Sequence, residues 1–345
     1  MDKSSASVYV YAKACGMYSK SFIGKRAAKL FEAKNIRELW NLVLDEEIPV
    51  LPEAKLADVI ERKISEKSVA DMLKLISVYD KPDMLIKALI SKYDYANLKN
   101  AWHEAEKESK DKSFLIDISP YSVFNWDKWP DMKEVVRGTE MGNIKVPSYK
   151  TSSDTSDKAS ISEIMTWDSE MDRMYYRSVW TGYKSLSKQE KQSCARLILT
   201  DIIMQNITWI LRLRTYYAYK TEDIKPLLAG VQTEETEKIF CRPAYFAFDK
   251  PLDDWDQWKN WEYAYVLNPH EEGMPWILDP RYVQLACDKY LYNLAVKQFH
   301  ISTGTTGVLT AFFKIKNLEE YMIRAAVESL RVGSDNEFKK EFIWG

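Results

Sequence analysis

Leu89-Ile90-Ser91-Lys92-Tyr93-Asp94-Tyr95-Ala96-Asn97-Leu98 aligns without a gap with Ile198 to Ile207 and with Leu309 to Leu318. In the second stretch the core reads Asp201-Ile202-Ile203-Met204-Gln205-Asn206-Ile207, and in the third Lys314-Ile315-Lys316-Asn317-Leu318. Asn97, Asn206 and Asn317 coincide, 109 and 111 residues apart. Eight positions before each asparagine stand Leu89, Ile198 and Leu309, and four before stand Tyr93, Ile202 and Phe313. One position after come Leu98, Ile207 and Leu318, and five after come Trp102, Leu211 and Met322. At about 100° per residue these offsets lie on one broad helical face, which puts each asparagine on the apolar side of a helix. A half-buried carboxamide has donors and an acceptor that are costly to leave unpaired, so each Asn is expected to tie its helix to the end of a neighbouring one.

Upstream, the second and third copies agree again. Met171-Asp172-Arg173-Met174-Tyr175-Tyr176 corresponds to Cys287-Asp288-Lys289-Tyr290-Leu291-Tyr292, with Asp172 34 residues before Asn206 and Asp288 29 before Asn317. Arg212 and Arg324 follow on the same helices. The first copy shows no counterpart of this upstream element. Internal recurrence at this period reads as a repeat architecture, which also suits a chain of 345 residues, longer than one hydrophobic core usually serves.

Outward from the repeats, the chain divides into 1–109 (first helical repeat), 110–159 (irregular insertion), 160–220 (second repeat), 221–280 (aromatic-rich insertion) and 281–345 (third repeat). Helices are expected over Ser19–Ala33, Ile36–Asp45, Lys55–Ser65, Ser68–Ser77 and Lys81 to about Lys107, with breaks at Pro49, Pro52 and Pro82. Two long segments parted near Ser185-Leu186-Ser187 form a hairpin over 160–219, and Ser302 to Gly307 parts another pair over 281–331. Ser152 to Asp157 has loop composition. The segment 221–280, carrying Pro243, Pro251, Pro269, Pro275 and Pro280 and Trp255, Trp258, Trp261 and Trp276, is the place where some strand or extended structure is plausible. With 46% hydrophobic and 29% charged residues but only 11 Gly and 12 Pro, the composition favours a mainly α-helical fold throughout.

The order of these pieces resembles the C subunit (called d in eukaryotes) of V-type and archaeal A-type rotary ATPases. The resemblance rests on Tyr9-Val10-Tyr11-Ala12-Lys13 leading to Ile36-Arg37-Glu38-Leu39-Trp40, and on Glu170-Met171-Asp172-Arg173-Met174-Tyr175-Tyr176. It also rests on the Asn206 stretch running into Ile210-Leu211-Arg212 and the Asn317 stretch running into Ile323-Arg324. It implies three pseudo-symmetric helical domains arranged as a funnel, seated on the proteolipid ring at the cytoplasmic face of the membrane and receiving the foot of the central stalk. It further implies an adaptor that transmits torque, is not an enzyme, and binds no nucleotide. The long aromatic insertions and the lack of a cysteine pair point to a divergent bacterial form. A free-standing helical-repeat scaffold that holds a peptide in its concave face is the alternative that the repeat alone would support.

The remaining residues agree with a docking protein. Gly24-Lys25-Arg26 lacks the preceding Gly and the hydroxyl residue of a phosphate-binding loop. His103, His270 and His300 are far apart, and Cys15, Cys194, Cys241 and Cys287 are isolated, so neither a metal site nor a disulfide framework is expected, and no cofactor. Glu170 and Asp172, two positions apart, point to different sides of a helix and suit an ion pair or cap better than an acid/base couple. A net charge of −2 gives no field toward nucleic acid or an anionic membrane. The polar start and the absence of any run of about 18 apolar residues predict a cytoplasmic chain, at most peripheral to a membrane complex. Trp255, Trp258 and Trp261, spaced by three, are a possible interface anchor, though covering the core of the insertion is the simpler use.

Overall fold

The computed structural model describes residues 3–105, 111–143, 161–333, 342 and 344. Helices, turns and irregular segments make up these residues, and no strand occurs among them. Four helices open the chain: α1 (Lys3–Tyr18), α2 (Ala28–Glu32), α3 (Ile36–Val43) and α4 (Glu53–Ile76). They are followed by α5 (Met84–Ile90), α6 (Lys92–Ala105) and the one-turn α7 (Met132–Val135). Then come the hairpin α8 (Ile161–Lys184) and α9 (Lys188–Tyr217), two single turns, α10 (Thr221–Ile224) and α11 (Glu234–Thr236), and the pair α12 (Pro280–Ile301) and α13 (Gly307–Val332).

Local chemistry explains most ends. Ser187 caps α9 by accepting from Glu190 N, Asn35 caps α3 by accepting from Glu38 N, and Pro280 opens α12 where its missing N–H costs nothing. Three boundaries depart from expectation. The helix expected over Ser19–Ala33 is reduced to a short 3₁₀ turn and α2, because Gly24 takes φ +63° with Tyr292 and the Trp344 carbonyl pressed where a Cβ would stand. The two helices expected either side of Ser65 are one, α4, since Ser65 and Ser68 are buried side chains of a continuous helix rather than caps. The helix expected from Lys81 breaks at Ser91, whose hydroxyl donates to the Ala88 carbonyl. The loop expected at Ser152–Asp157 and the helix end expected near Lys107 lie outside the described residues.

Packing is cyclic. α8 lies against α5, α12 against α9, and α4 against α13, while α12 and α13 form the most extensive pair. One large core runs through all of these, with Trp40, Phe299, Phe312, Phe313 and Ile315 almost fully buried. Each such side chain contributes about 1.5–3 kcal/mol on leaving water. A second, smaller core joins α6 and α8 to the first insertion through Trp126, Trp129, Trp167 and Met171. The second insertion is aromatic but without strands, contrary to the strand or extended structure expected over 221–280. Its prolines remove the donors a ladder needs, and its rings pack on one another instead: Phe246 stacks on Trp261 and Trp255 on His270. Among the described residues α9 is long and apolar enough to cross a membrane, but 56% of its most apolar window is buried within the protein. It also carries Asp201.

Candidate functional site

The stretches around Asn97, Asn206 and Asn317 lie on α6, α9 and α13. Near these stretches, the entries of α5, α9 and α13 are knotted together. The Thr306 hydroxyl, at the entry of α13, donates to Asp83 Oδ2 at the entry of α5 over 2.5 Å, and Thr306 N donates to Glu190 Oε2 in the first turn of α9 over 2.6 Å. Acidic side chains there complement the positive ends of the helix dipoles. Two glycines allow the close approach. A Cβ on Gly307 would stand 2.7 Å from the Ser193 carbonyl oxygen, and one on Gly182 would stand 2.6 Å from Leu85 Cα.

Further along the helices two of the asparagines act alike. Asn97 Nδ2 donates to the Ile116 carbonyl (2.8 Å) and its Oδ1 accepts from Ile116 N (2.9 Å). Asn206 Nδ2 donates to the Ala229 and Phe240 carbonyls (3.0 Å each) and its Oδ1 accepts from Ala229 N (2.9 Å). Both side chains are buried, and each grips the backbone of the insertion that follows its own helix. The expected partner, the end of a neighbouring helix, is therefore replaced by a loop. Asn317 is only half-buried and has no side-chain hydrogen bond among the described residues; it faces the centre shared by the helices.

Two cavities open at that centre among the described residues. The smaller, about 30 Å³, is lined by Leu89, Ile198, Ile202, Phe313, Tyr176 and the ion pair of Lys314 Nζ with Asp201 Oδ1 at 2.8 Å. It has room for about one water. The larger, about 480 Å³, opens between α4, α6 and α13, and charged and hydroxyl side chains stand on its wall. Tyr93 OH donates there to Glu320 Oε1, Ser65 Oγ donates to Glu320 Oε2 (3.1 Å), and Arg324 reaches Ser65 Oγ (2.8 Å) and Glu61 Oε2 (3.3 Å). Burial and the Glu320 carboxylate push the Tyr93 phenol well above its ordinary range, so it stays a donor. Lys92, an exposed side chain, lines the same cavity, and desolvation by the neighbouring protein lowers its ammonium pKa.

The other residues singled out in the sequence are scattered. Asp172 pairs with Lys99 at 2.8 Å, joining α8 to α6. Asp288 is buried on α12, where desolvation raises its carboxyl and Gln284 Nε2 donates to it at 2.9 Å. Arg212 is exposed on α9, its charge opposing the rise that burial gives the phenol of Tyr321 on α13. Trp258 and Trp261 are buried at the insertion's edge of the large core, with Trp258 Nε1 donating to the Pro251 carbonyl at 2.6 Å, and Trp255 is half-buried. Trp258 and Trp261 are therefore not exposed, and Trp255 packs part of its ring on His270 and Trp276. Glu170 pairs with Arg173, as a helix ion pair.

Sequence reasoning missed the upstream partner in the first copy. The packing of α4 on α13 supplies it, and Ile60-Glu61-Arg62, with Glu61 36 residues before Asn97, matches the Asp172-Arg173 and Asp288-Lys289 pairs. The signal was an acid followed by a base, hidden by the change from Asp to Glu.

Sequence comparison gives the context for this geometry. The family described as ATP synthase (C/AC39) subunit matches residues 10–342. The chain belongs to the ATP synthase C/AC39 subunit family. Members of this family are non-catalytic subunits of rotary ATPases. An uncharacterized protein of Treponema pallidum is 27% identical over 344 residues, covering 99% of this chain and 98% of its own length. The A-type ATP synthase C subunit of Methanosarcina acetivorans is 20% identical over 323 residues, covering 89% of this chain and 86% of its own. The cavity between α4, α6 and α13 is thus a feature of a C/AC39 subunit.

Proposed function

We propose that this C/AC39 subunit is the adaptor between the central stalk and the proteolipid ring of a V/A-type rotary ATPase, on the cytoplasmic face of the membrane. In this reading three similar helical units, 1–109, 160–220 and 281–345, surround an axis and form a funnel. The observation that carries it is the closure of the packing cycle by α4 on α13, which bounds a cavity beside the middle of α13, well along that helix from the knot at its entry. A stalk end enters the cavity, and torque passes through helices packed at close to crystalline density, which deform little.

Affinity capture of the tagged chain from native membranes, with partners identified by mass, tests the reading. Proteolipid and stalk subunits are expected in the captured material. Recovery of the chain wholly in the soluble fraction, free of those subunits, would overturn it.

A further inference from the structure

The charges that line the larger cavity are almost all paired. Glu320 accepts from Tyr93 and Ser65, Glu61 pairs with Arg324, and Arg62 pairs with Glu66 (3.1 Å) while donating to the Ser113 carbonyl (2.9 Å). Asp58 lies 3.8 Å from Arg331. Among the described residues, one lining charge is left over. Lys92, on α6 and exposed to the cavity, has no ion-pair or hydrogen-bond partner among the described residues. Its nearest acids do not reach it, since Asp201 is held by Lys314 and Glu320 by the two hydroxyls. Asn317 also lines this cavity with its carboxamide free of hydrogen bonds among the described residues.

An ammonium that lines a cavity with no ion-pair partner is matched by an incoming carboxylate, which makes a charge-assisted hydrogen bond with it. Amide donors beside it suit the same ligand. Accordingly, we propose that the stalk element entering the cavity carries an Asp or Glu whose carboxylate pairs with Lys92, with the Asn317 amide donating to it. This rests on the adaptor reading above and names the chemistry of its contact. The free chain thus holds a cation in waiting, and the match of one charge sets the rotational register of the inserted element.

Zero-length carbodiimide coupling on native membranes, followed by peptide mapping, tests the pair. A Lys92 cross-link to an Asp or Glu of a stalk subunit is expected. Acetylation of Lys92, ready in the isolated chain, is expected to be largely lost in the assembled complex. Lys92→Met, whose position on a cavity wall spares the core, should lower stalk retention, and Lys92→Arg should restore most of it. If stalk subunits co-purify but Lys92 is acetylated equally in both states, or couples to a ring subunit, the pair is overturned while the adaptor reading stands. Failure of stalk subunits to co-purify at all overturns the adaptor reading itself.

Discussion

Glu61 Oε2 lies 3.3 Å from Nη1 of Arg324, a contact that spans 263 residues and ties α4, near the start of the chain, to α13, near its end. Ser65, one turn beyond Glu61, accepts from the same guanidinium at 2.8 Å. The last long helix is thereby locked to α4, so the cavity wall is continuous. Both partners are partly exposed, and the ion pair alone is worth about 0–1 kcal/mol. Its use is to set the register of two helices whose packing supplies the stability.

The asparagine clamps should be unequal. Asn206→Ala removes the hydrogen bonds to Ala229 and Phe240 and strands the buried amide of Ala229, whose carbonyl keeps only the weak Cys241 thiol donor, so a loss of about 2–4 kcal/mol is expected. Asn97→Ala, which strands the amide and carbonyl of Ile116, should fall in that range too. Asn317→Ala, with no such bond among the described residues, should change stability by under about 1 kcal/mol. Chemical denaturation of the three variants measures the difference, and equal losses would contradict the clamp assignment.

Gly182→Ala should cost about 1–3 kcal/mol, because the added methyl meets the backbone of α5, 2.6 Å from Leu85 Cα and 2.7 Å from Leu85 N, and backbone cannot rotate aside. Gly138→Ala has open space but φ +79°, so its cost is conformational only. Thermal unfolding of both separates steric from conformational effects.

The charge of Lys92 should make the isolated chain more stable as pH rises. Its folded pKa is lowered by desolvation, with Glu320 and Asp201 opposing that shift and Lys314 and Arg324 adding to it. Between the lowered value and the ordinary lysine range, the unfolded chain binds more protons, so stability increases with pH across that window. Lys92→Met is therefore expected to raise the melting temperature at neutral pH, with the gain shrinking as the pH approaches about 10. A gain that stays constant with pH would exclude charge as its cause.

Thiol labelling of the native protein should be slow at three sites. Burial pushes Cys241 and Cys287 up to about 12 and also raises Cys194, which keeps the thiolate scarce as well as inaccessible. Cys15, half-buried on α1, is expected to label first. Mass spectrometry of partially modified protein reads the order directly.

Asp94 is expected to anchor the first insertion. It is buried and accepts from Val123 N, Phe124 N, Ser122 Oγ and Trp126 Nε1. Asp94→Asn replaces an all-acceptor group by one that is half donor, so about 2–4 kcal/mol should be lost. Hydrogen exchange should then rise over 116–136 while α12 and α13 stay protected. Uniform loss of protection would mean that the insertion is not separately anchored.

Periodicity alone determined that the chain is mainly helical, where its long hairpins turn, and that Asn97, Asn206 and Asn317 stand at matching places on apolar faces. Those features are local: they follow from spacing, caps and prolines within about a turn or two of each residue. The fate of each polar side chain was decided by what the fold brought opposite it. Asn97 and Asn206 each met a returning loop and are closed, whereas Asn317 met the shared centre and is not. Lys92 and Asp201 hold the same offset in aligned stretches, yet Asp201 is paired with Lys314 and Lys92 has no such partner among the described residues. Pairing depends on distances across helices more than 100 residues apart in the chain, which one-dimensional spacing does not encode. Only the closure of α4 on α13 turned a row of repeated helices into a cavity in which Lys92 stands without an ion-pair partner among the described residues.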